Sequence, residues 1–229
     1  MSHPAVARPV LYSGPLSMFG AKAQIAAAEK GIDIELVMVP FEMKSLYQPK
    51  HPEVLRINPK GQVPVLVHGG LEIFDSTQIF EYFEELQPEP PLWPTAPAAR
   101  AAARLLEHKS DEVFFPPVIR LMGLQAAPAD AAAVAARAAL ADYYDGMETL
   151  LGDGRDWLAN VYTYADIAFF MAQIFADRMG APMQERHVRL RQWRERMGGR
   201  AAVRQVAGAM GRYLLSQGRP IPDFLQRMV

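Results

Sequence analysis

The 229-residue chain contains no cysteine. That excludes disulfides, zinc–thiolate centres and a cysteine nucleophile, and it fits a reducing, cytoplasmic setting. Histidine is sparse. His3, His51, His68, His108 and His187 are scattered without metal-ligand spacing, so no metal is expected. Charge of either sign is not in excess: 24 basic against 25 acidic residues leave a net −1, too small a field to draw nucleic acid or a membrane surface. The seven arginines between Arg186 and Arg204 are interleaved with Glu195 and few aromatics, which reads as a solvated helix face and not a nucleic-acid surface. No apolar run approaches the roughly 18 residues of a membrane span, and residues 1–10 lack the apolar core of a secretory signal. What remains is an ordinary globular balance, 50% hydrophobic and 21% charged, long enough for two modest domains.

One stretch organises the rest. Asn58-Pro59-Lys60-Gly61 reads as a turn, and Pro64-Val65-Leu66-Val67 as a short strand with proline at its tolerant first position. His68-Gly69-Gly70 signals a hairpin, Leu71–Phe74 a second strand, and Asp75-Ser76 the start of a helix with Ile79, Phe83 and Leu86 on one face. Val63-Pro64 is an X-Pro bond in a turn, where a cis peptide would turn the Val63 N–H and C=O outward for pairing with an extended peptide. Ser76 at a helix N-terminus offers free N–H groups and a hydroxyl to a carboxylate. Taken alone, Asp75 and Ser76 read more readily as a cap, with Gln78 completing a box.

Before this stretch, Met1–Arg8 is expected to be a loose terminus. Pro9–Tyr12 predicts a strand, Ser13-Gly14-Pro15 a break, and Ser17–Lys30 a helix ended by Gly31. Ile32–Val39 alternates at its start and predicts a second strand, with Pro40–Pro59 irregular. The order β-α-β then β-β-α is that of a thioredoxin-like α/β domain, expected over residues 1–87. Residues 88–97 form a Pro-rich linker: Gln87–Pro97 carries five prolines in eleven residues, a stiff extended connector. Residues 98–229 predict an all-helical domain. Ala98–Phe115 is one helix broken or kinked by Pro116-Pro117, and Ala129–Leu151 is another, stopped by Gly152 and Gly154. Thr163-x-x-Asp166 is an acidic capping box before a helix apolar nearly all round, hence a buried central helix, and Asp166 is assigned to stability.

Val63-Pro64 before a strand, then Asp75-Ser76 at a helix start, resembles the glutathione-binding half of the glutathione S-transferase family. The Pro-Leu-Trp-Pro linker and the Thr163–Asp166 motif extend that resemblance along the whole chain. It implies a thioredoxin-like domain followed by an all-α bundle, and a homodimer with Asp75 near its interface. It implies glutathione as co-substrate, held through Val63 and Pro64, the neighbouring Gln62, and Asp75 and Ser76 at the γ-glutamyl end. Lys50 or His51, or else Lys44, would meet the glycine carboxylate. The segment Leu11–Ser17 resembles the serine-type, theta- and zeta-like classes, in which Ser17 would donate to the glutathione thiolate. Tyr12 is the rival donor and Ser13 a third. Ser17 is favoured because a helix start adds the dipole. Read without the resemblance, Ser17 is a plain N-cap. The family's common arginine appears as Lys22, and the residue after the serine is the apolar Met18.

A free thiol titrates near 8.5, and a charged hydrogen bond of about 1.5–3 kcal/mol plus a dipole term of about 0.3–1 kcal/mol would lower it by one to two units. The electrophile pocket is expected between the domains, from Leu16, Phe114, Phe115 and Met122. The resulting expectation is a detoxifying transferase acting on apolar electrophiles. The alternatives are another glutathione-dependent enzyme on the same fold (isomerase, dehalogenase, peroxidase or β-etherase-type lyase) or a non-catalytic binding or regulatory protein.

Overall fold

The computed structural model describes residues 7–229; the terminus expected to be loose lies, for residues 1–6, outside them. The chain forms two compact units. The first holds the residues up to Pro91 together with Arg212–Arg219, and the second holds Leu92–Gly211 and Pro220–Val229.

The first unit is a four-stranded mixed sheet in the order β2-β1-β3-β4. β1 is Val10–Ser13, β2 Glu35–Met38, β3 Val65–His68 and β4 Leu71–Phe74. β1 pairs parallel with β2 across α1 (Met18–Glu29) and antiparallel with β3. The β3–β4 hairpin turns on Gly69 and Gly70, with φ of 56° and 87°, the left-handed values that a two-residue hairpin requires. Strand alternation sorts the two faces. Leu11 and Leu66 pack with Ala23 and Ala27 of α1 and with Ile79 and Phe83 of α3 (Ser76–Leu86). Val65, one residue out of phase, packs with Val39 and with Val54 of α2 (Pro52–Ile57). The expected second strand, Ile32–Val39, is shorter than its pattern, because β1, its one partner among the described residues, spans four residues. The helix α2 interrupts a region expected to be irregular; it is too short to carry a period, and His51 and Pro52 begin it.

Lys30, at the C-cap of α1, is buried. Its ammonium meets Glu84 at 2.6 Å and donates to the Pro90 carbonyl at 2.9 Å, tying α1 to α3 and to the end of the unit. Lys30→Met should cost about 2 kcal/mol in denaturant unfolding, below the usual penalty for splitting a buried pair because Glu84 keeps some solvent. Adding Glu84→Gln should recover most of it; a double variant no more stable than Lys30→Met would refute this account.

The second unit is helical: α4 (Pro97–Lys109), α5 (Phe115–Gly123), α6 (Ala131–Leu150), α7 (Tyr164–Arg178), α8 (Val188–Gly199), α9 (Ala201–Ser216) and α10 (Asp223–Gln226), the end of α9 counting with the first unit. Pro116 and Pro117 do not break the path as expected. A π-helical turn, Ser110–Phe114, joins α4 to α5, and the prolines fall in the first turn of α5, where no N–H is needed. Every residue of α7 from Tyr164 to Ala176 is buried, as a helix apolar all round must be. Leu92 and Trp93 also belong to this core, where the sequence suggests only an extended connector. Among the described residues no helix is long and apolar enough to cross a membrane.

Candidate functional site

The polar groups singled out in the sequence gather at one end of the first unit's sheet. β1 ends in Ser13, whose side chain is buried and whose hydroxyl accepts from the Gln24 amide at 2.8 Å. The chain then turns through Gly14–Leu16, and the Ser17 N–H donates to the Gly14 carbonyl at 3.1 Å. Ser17 is the N-cap of α1. Its backbone is extended, and its Oγ accepts from the Gly20 N–H at 3.0 Å. An oxygen that accepts in this way retains its own O–H to donate elsewhere, at the positive end of the helix dipole.

Tyr12 lies one residue out of phase with Ser13 and packs with the Val39–Val54–Val65 cluster on the α2 face. Its ring is 5.1 Å from that of His51. Ser13, on the α1 face, is fully buried, and its oxygen accepts from Gln24. Lys22 is fully buried, with its ammonium 5.5 Å from the Phe19 ring, and Met18 is in the core.

The turn before β3 is built by Asn58, a residue that sequence reading passed over as a mere turn former. Its side chain donates to the Gln62 carbonyl at 2.7 Å and accepts from the Lys60 N–H at 2.9 Å, and its carbonyl accepts from the Gly61 N–H at 2.7 Å. The Val63–Pro64 peptide is cis. Val63 is half-buried, and among the described residues nothing pairs with its backbone N–H or C=O. Gln62 is exposed beside it and Pro64 buried behind it.

Asp75 adopts φ 77°, ψ 130°, a left-handed value for a non-glycine residue. Its carboxylate accepts from the Thr77 and Gln78 N–H groups at 3.0 and 3.3 Å, so the cap expected of Asp75 is made, and Gln78 contributes through its backbone. Ser76, the first helical residue, is buried. Backbone strain of this kind costs about 1–3 kcal/mol and concentrates at functional positions.

His51 and Lys50 stand at the start of α2. His51 Nδ1 accepts from the Glu53 N–H at 3.3 Å, which leaves the ring's proton on Nε2. Lys50 donates to the Lys60 carbonyl at 3.3 Å and lies against Gly61. Lys44 is exposed on a separate turn.

Of the expected pocket residues, Leu16 is half-buried in the β1–α1 turn and Met122 is exposed in the second unit. Phe114 and Phe115 are core residues there, not an open lining. Phe114 is 5.1–5.2 Å from Tyr143, Tyr144 and Phe169, and Phe115 stacks edge-on to Phe175. Aromatic rings at helical spacing bury themselves first. The Thr163–Asp166 box is made in full, and its carboxylate also holds Leu158 and Trp193. Among the described residues no group of three or more acidic or histidine side chains is disposed to hold a metal.

Residues 11–91 match the family model described as the N-terminal domain of glutathione S-transferase. A stringent starvation protein A homolog of Coxiella burnetii is 36% identical over 107 residues, 46% of this chain and 47% of the relative. Rat maleylacetoacetate isomerase is 40% identical over 99 residues, 43% and 45% of the two chains. The chain thus spans about half the length of the curated relatives it matches. The crystal structure of a glutathione S-transferase from Rhodospirillum rubrum F11 matches more broadly: 32% identity and a TM-score of 0.73, over 87% of this chain and 91% of that one. With identity carried through both units and a first unit that fits the family's N-terminal model, the chain belongs to the glutathione S-transferase family.

Proposed function

We propose that this chain is a glutathione transferase that activates the thiol of glutathione for attack on a small, largely apolar electrophile, and that it works as a homodimer. The observation that carries this reading is the state of Ser17. Its oxygen is held by the Gly20 amide, its proton is unspent among the described residues, and it stands at the N-terminus of a twelve-residue helix. A hydroxyl so placed donates to a thiolate without any general base. The unpaired Val63 backbone supports an extended peptide lying along it as an added strand. The α3 N-terminus, with Asp75 and Ser76, suits the γ-glutamyl end, and the Nε2–H of His51, with Lys50, suits the glycine carboxylate. Tyr12, whose ring lies 5.1 Å from that of His51, has no helix N-terminus behind it and is the weaker donor. The thiol stays the nucleophile throughout: it loses its proton to solvent, and its sulfur forms the new bond as the electrophile's leaving group departs.

The test is a pH titration of the thiolate absorbance of bound glutathione in the parent, Ser17→Ala and Tyr12→Phe proteins. The parent should hold the thiol about one to two units below its free value, Ser17→Ala should restore it, and kcat/KM at neutral pH should fall about 10–100-fold. Tyr12→Phe should leave the thiol as in the parent. A parent that binds glutathione with an unshifted thiol, or a Ser17→Ala protein with a parental one, would overturn the role of Ser17.

A second reading, a glutathione-dependent isomerase, is favoured by the 40% identical stretch shared with maleylacetoacetate isomerase. Turnover of maleylacetoacetate without consumption of glutathione would select it. Glutathione binding without turnover of any electrophile class would select a non-catalytic binding protein on the same fold.

A further inference from the structure

Residues far apart in sequence meet at the turn that presents Ser17. The end of α9 counts with the first unit, and there Tyr213 donates its hydroxyl to the Phe41 carbonyl at 3.0 Å, its ring 6.0 Å from the Phe41 ring. Phe41 opens a short closed loop. Glu42 and Leu46 exchange both backbone hydrogen bonds, at 2.9 and 2.6 Å, and Leu46 takes a left-handed φ of 57°. Tyr47 closes the loop, its ring 4.7 Å from that of Phe41.

Tyr47 lies directly on Gly14. A Cβ at Gly14 would stand 2.3–2.6 Å from Tyr47 Cε1, Oη and Cζ, so the ring occupies the space that a side chain there would need. The Tyr47 hydroxyl is buried beside the Leu16 backbone. Burial pushes the phenol's pKa up. Among the described residues no group meets that hydroxyl in hydrogen-bonding geometry, so Tyr47 acts here through its ring. Gly14 is in turn the residue whose carbonyl receives the Ser17 N–H.

We infer that Tyr213 and Tyr47 are positioning residues for Ser17: the end of α9 holds the 41–48 loop, and the Tyr47 ring pressed onto Gly14 fixes the turn that aims the Ser17 hydroxyl. The inference deepens the transferase reading and rests on it for its catalytic consequence. Its geometric core, the coupling of Tyr213 to the α1 cap, stands without any ligand. Neither tyrosine touches the thiol; each acts through backbone that ends at Ser17.

The experiment compares Tyr213→Phe, Tyr47→Leu and Tyr47→Phe with the parent by two readouts. One is amide hydrogen exchange at Gly20, whose N–H is held by Ser17 Oγ, measured without glutathione. The other is the thiol pKa of bound glutathione. Tyr213→Phe and Tyr47→Leu should speed Gly20 exchange about tenfold, with the melting temperature close to the parent's, as expected of a local opening. Both should raise the bound thiol pKa and lower kcat/KM at neutral pH about tenfold, the scale of a slightly misplaced donor. Tyr47→Phe, which keeps the ring, should match the parent in both. Parental Gly20 exchange in Tyr213→Phe would overturn the inference, even if Tyr47→Leu proves too unstable to study. If the parent binds no glutathione the transferase reading fails by itself, and Gly20 exchange still decides the coupling.

Discussion

Asp166→Ala should cost the second unit about 4 kcal/mol, a large part of the stability of a typical domain, and lower the melting temperature by about 8–16 °C. The carboxylate is fully buried and accepts four hydrogen bonds. Oδ1 takes the Leu158 N–H at 3.0 Å and the Trp193 indole N–H at 2.9 Å; Oδ2 takes the Thr163 N–H at 2.9 Å and its hydroxyl at 3.1 Å. Alanine leaves these donors buried and unpaired, and each such group costs about 1–3 kcal/mol. The lower part of that range applies, because the Thr163 hydroxyl can turn and water can reach a vacated cavity. Asp166→Asn should lose roughly half as much: its oxygen still serves Leu158 and Trp193, but its NH₂ faces the Thr163 N–H, donor against donor.

The same pair of variants carries a pH signature. Burial outweighs the four donors and holds the Asp166 carboxyl above its ordinary range. The folded state therefore binds the proton more tightly than the unfolded state. The associated stability is present below the ordinary carboxylate range and is lost as pH rises through the elevated folded value. Asp166→Asn should flatten that part of the stability profile. A loss below 1 kcal/mol in Asp166→Ala, measured by urea unfolding, would refute the assignment.

What the sequence made legible was local. Thr163-x-x-Asp166 names its own capping box, Gly69-Gly70 names a hairpin, and Ser17 before an alanine-rich run names an N-cap, because in each the interacting groups lie within four residues. Where the partner is distant, the pattern misleads or is silent. Ile32–Val39 alternates like a longer strand, yet β1 offers only four residues to pair with it. Pro116-Pro117 reads as a break until the preceding π turn supplies a first turn for the prolines to occupy. Phe114 and Phe115 suit a pocket and a core equally by composition; only contact with Tyr144, Phe169 and Phe175 separates the two. At the candidate site, the residue types at Val63, Asp75 and Ser76 were readable. The left-handed backbone of Asp75 was not, nor was the Tyr213–Phe41 bond that spans 172 positions.

Gly20→Ala is expected to damage stability and chemistry together, although alanine is the better helix former by about 1 kcal/mol. A Cβ at position 20 would stand 2.1 Å from Ser13 Oγ and 3.1 Å from both Ser13 Cβ and Ser17 Oγ. Ser13 has little room to yield: it is fully buried, its hydroxyl holds Gln24, and its backbone is paired in β1. The start of α1 has little more, since Ala23 and Ala27 are packed against Leu11 and Leu66. Overpacking of this kind costs about 1–3 kcal/mol, and displacing the Gly20 amide from Ser17 Oγ removes a cap worth about 1 kcal/mol. Against the propensity gain, the net loss in urea unfolding should be about 1–3 kcal/mol. Adding Ser13→Ala removes the closest clash and should recover more than half of it, a coupling of the size seen between residues in contact. If Ser17 stabilises the thiolate, the single variant should also lower kcat/KM at neutral pH about tenfold, with a smaller change in glutathione affinity, which the Val63 and Ser76 side of the site would supply. Affinity falling in step with kcat/KM would mean instead that the start of α1 supplies ground-state binding, and the transition-state role would move away from Ser17.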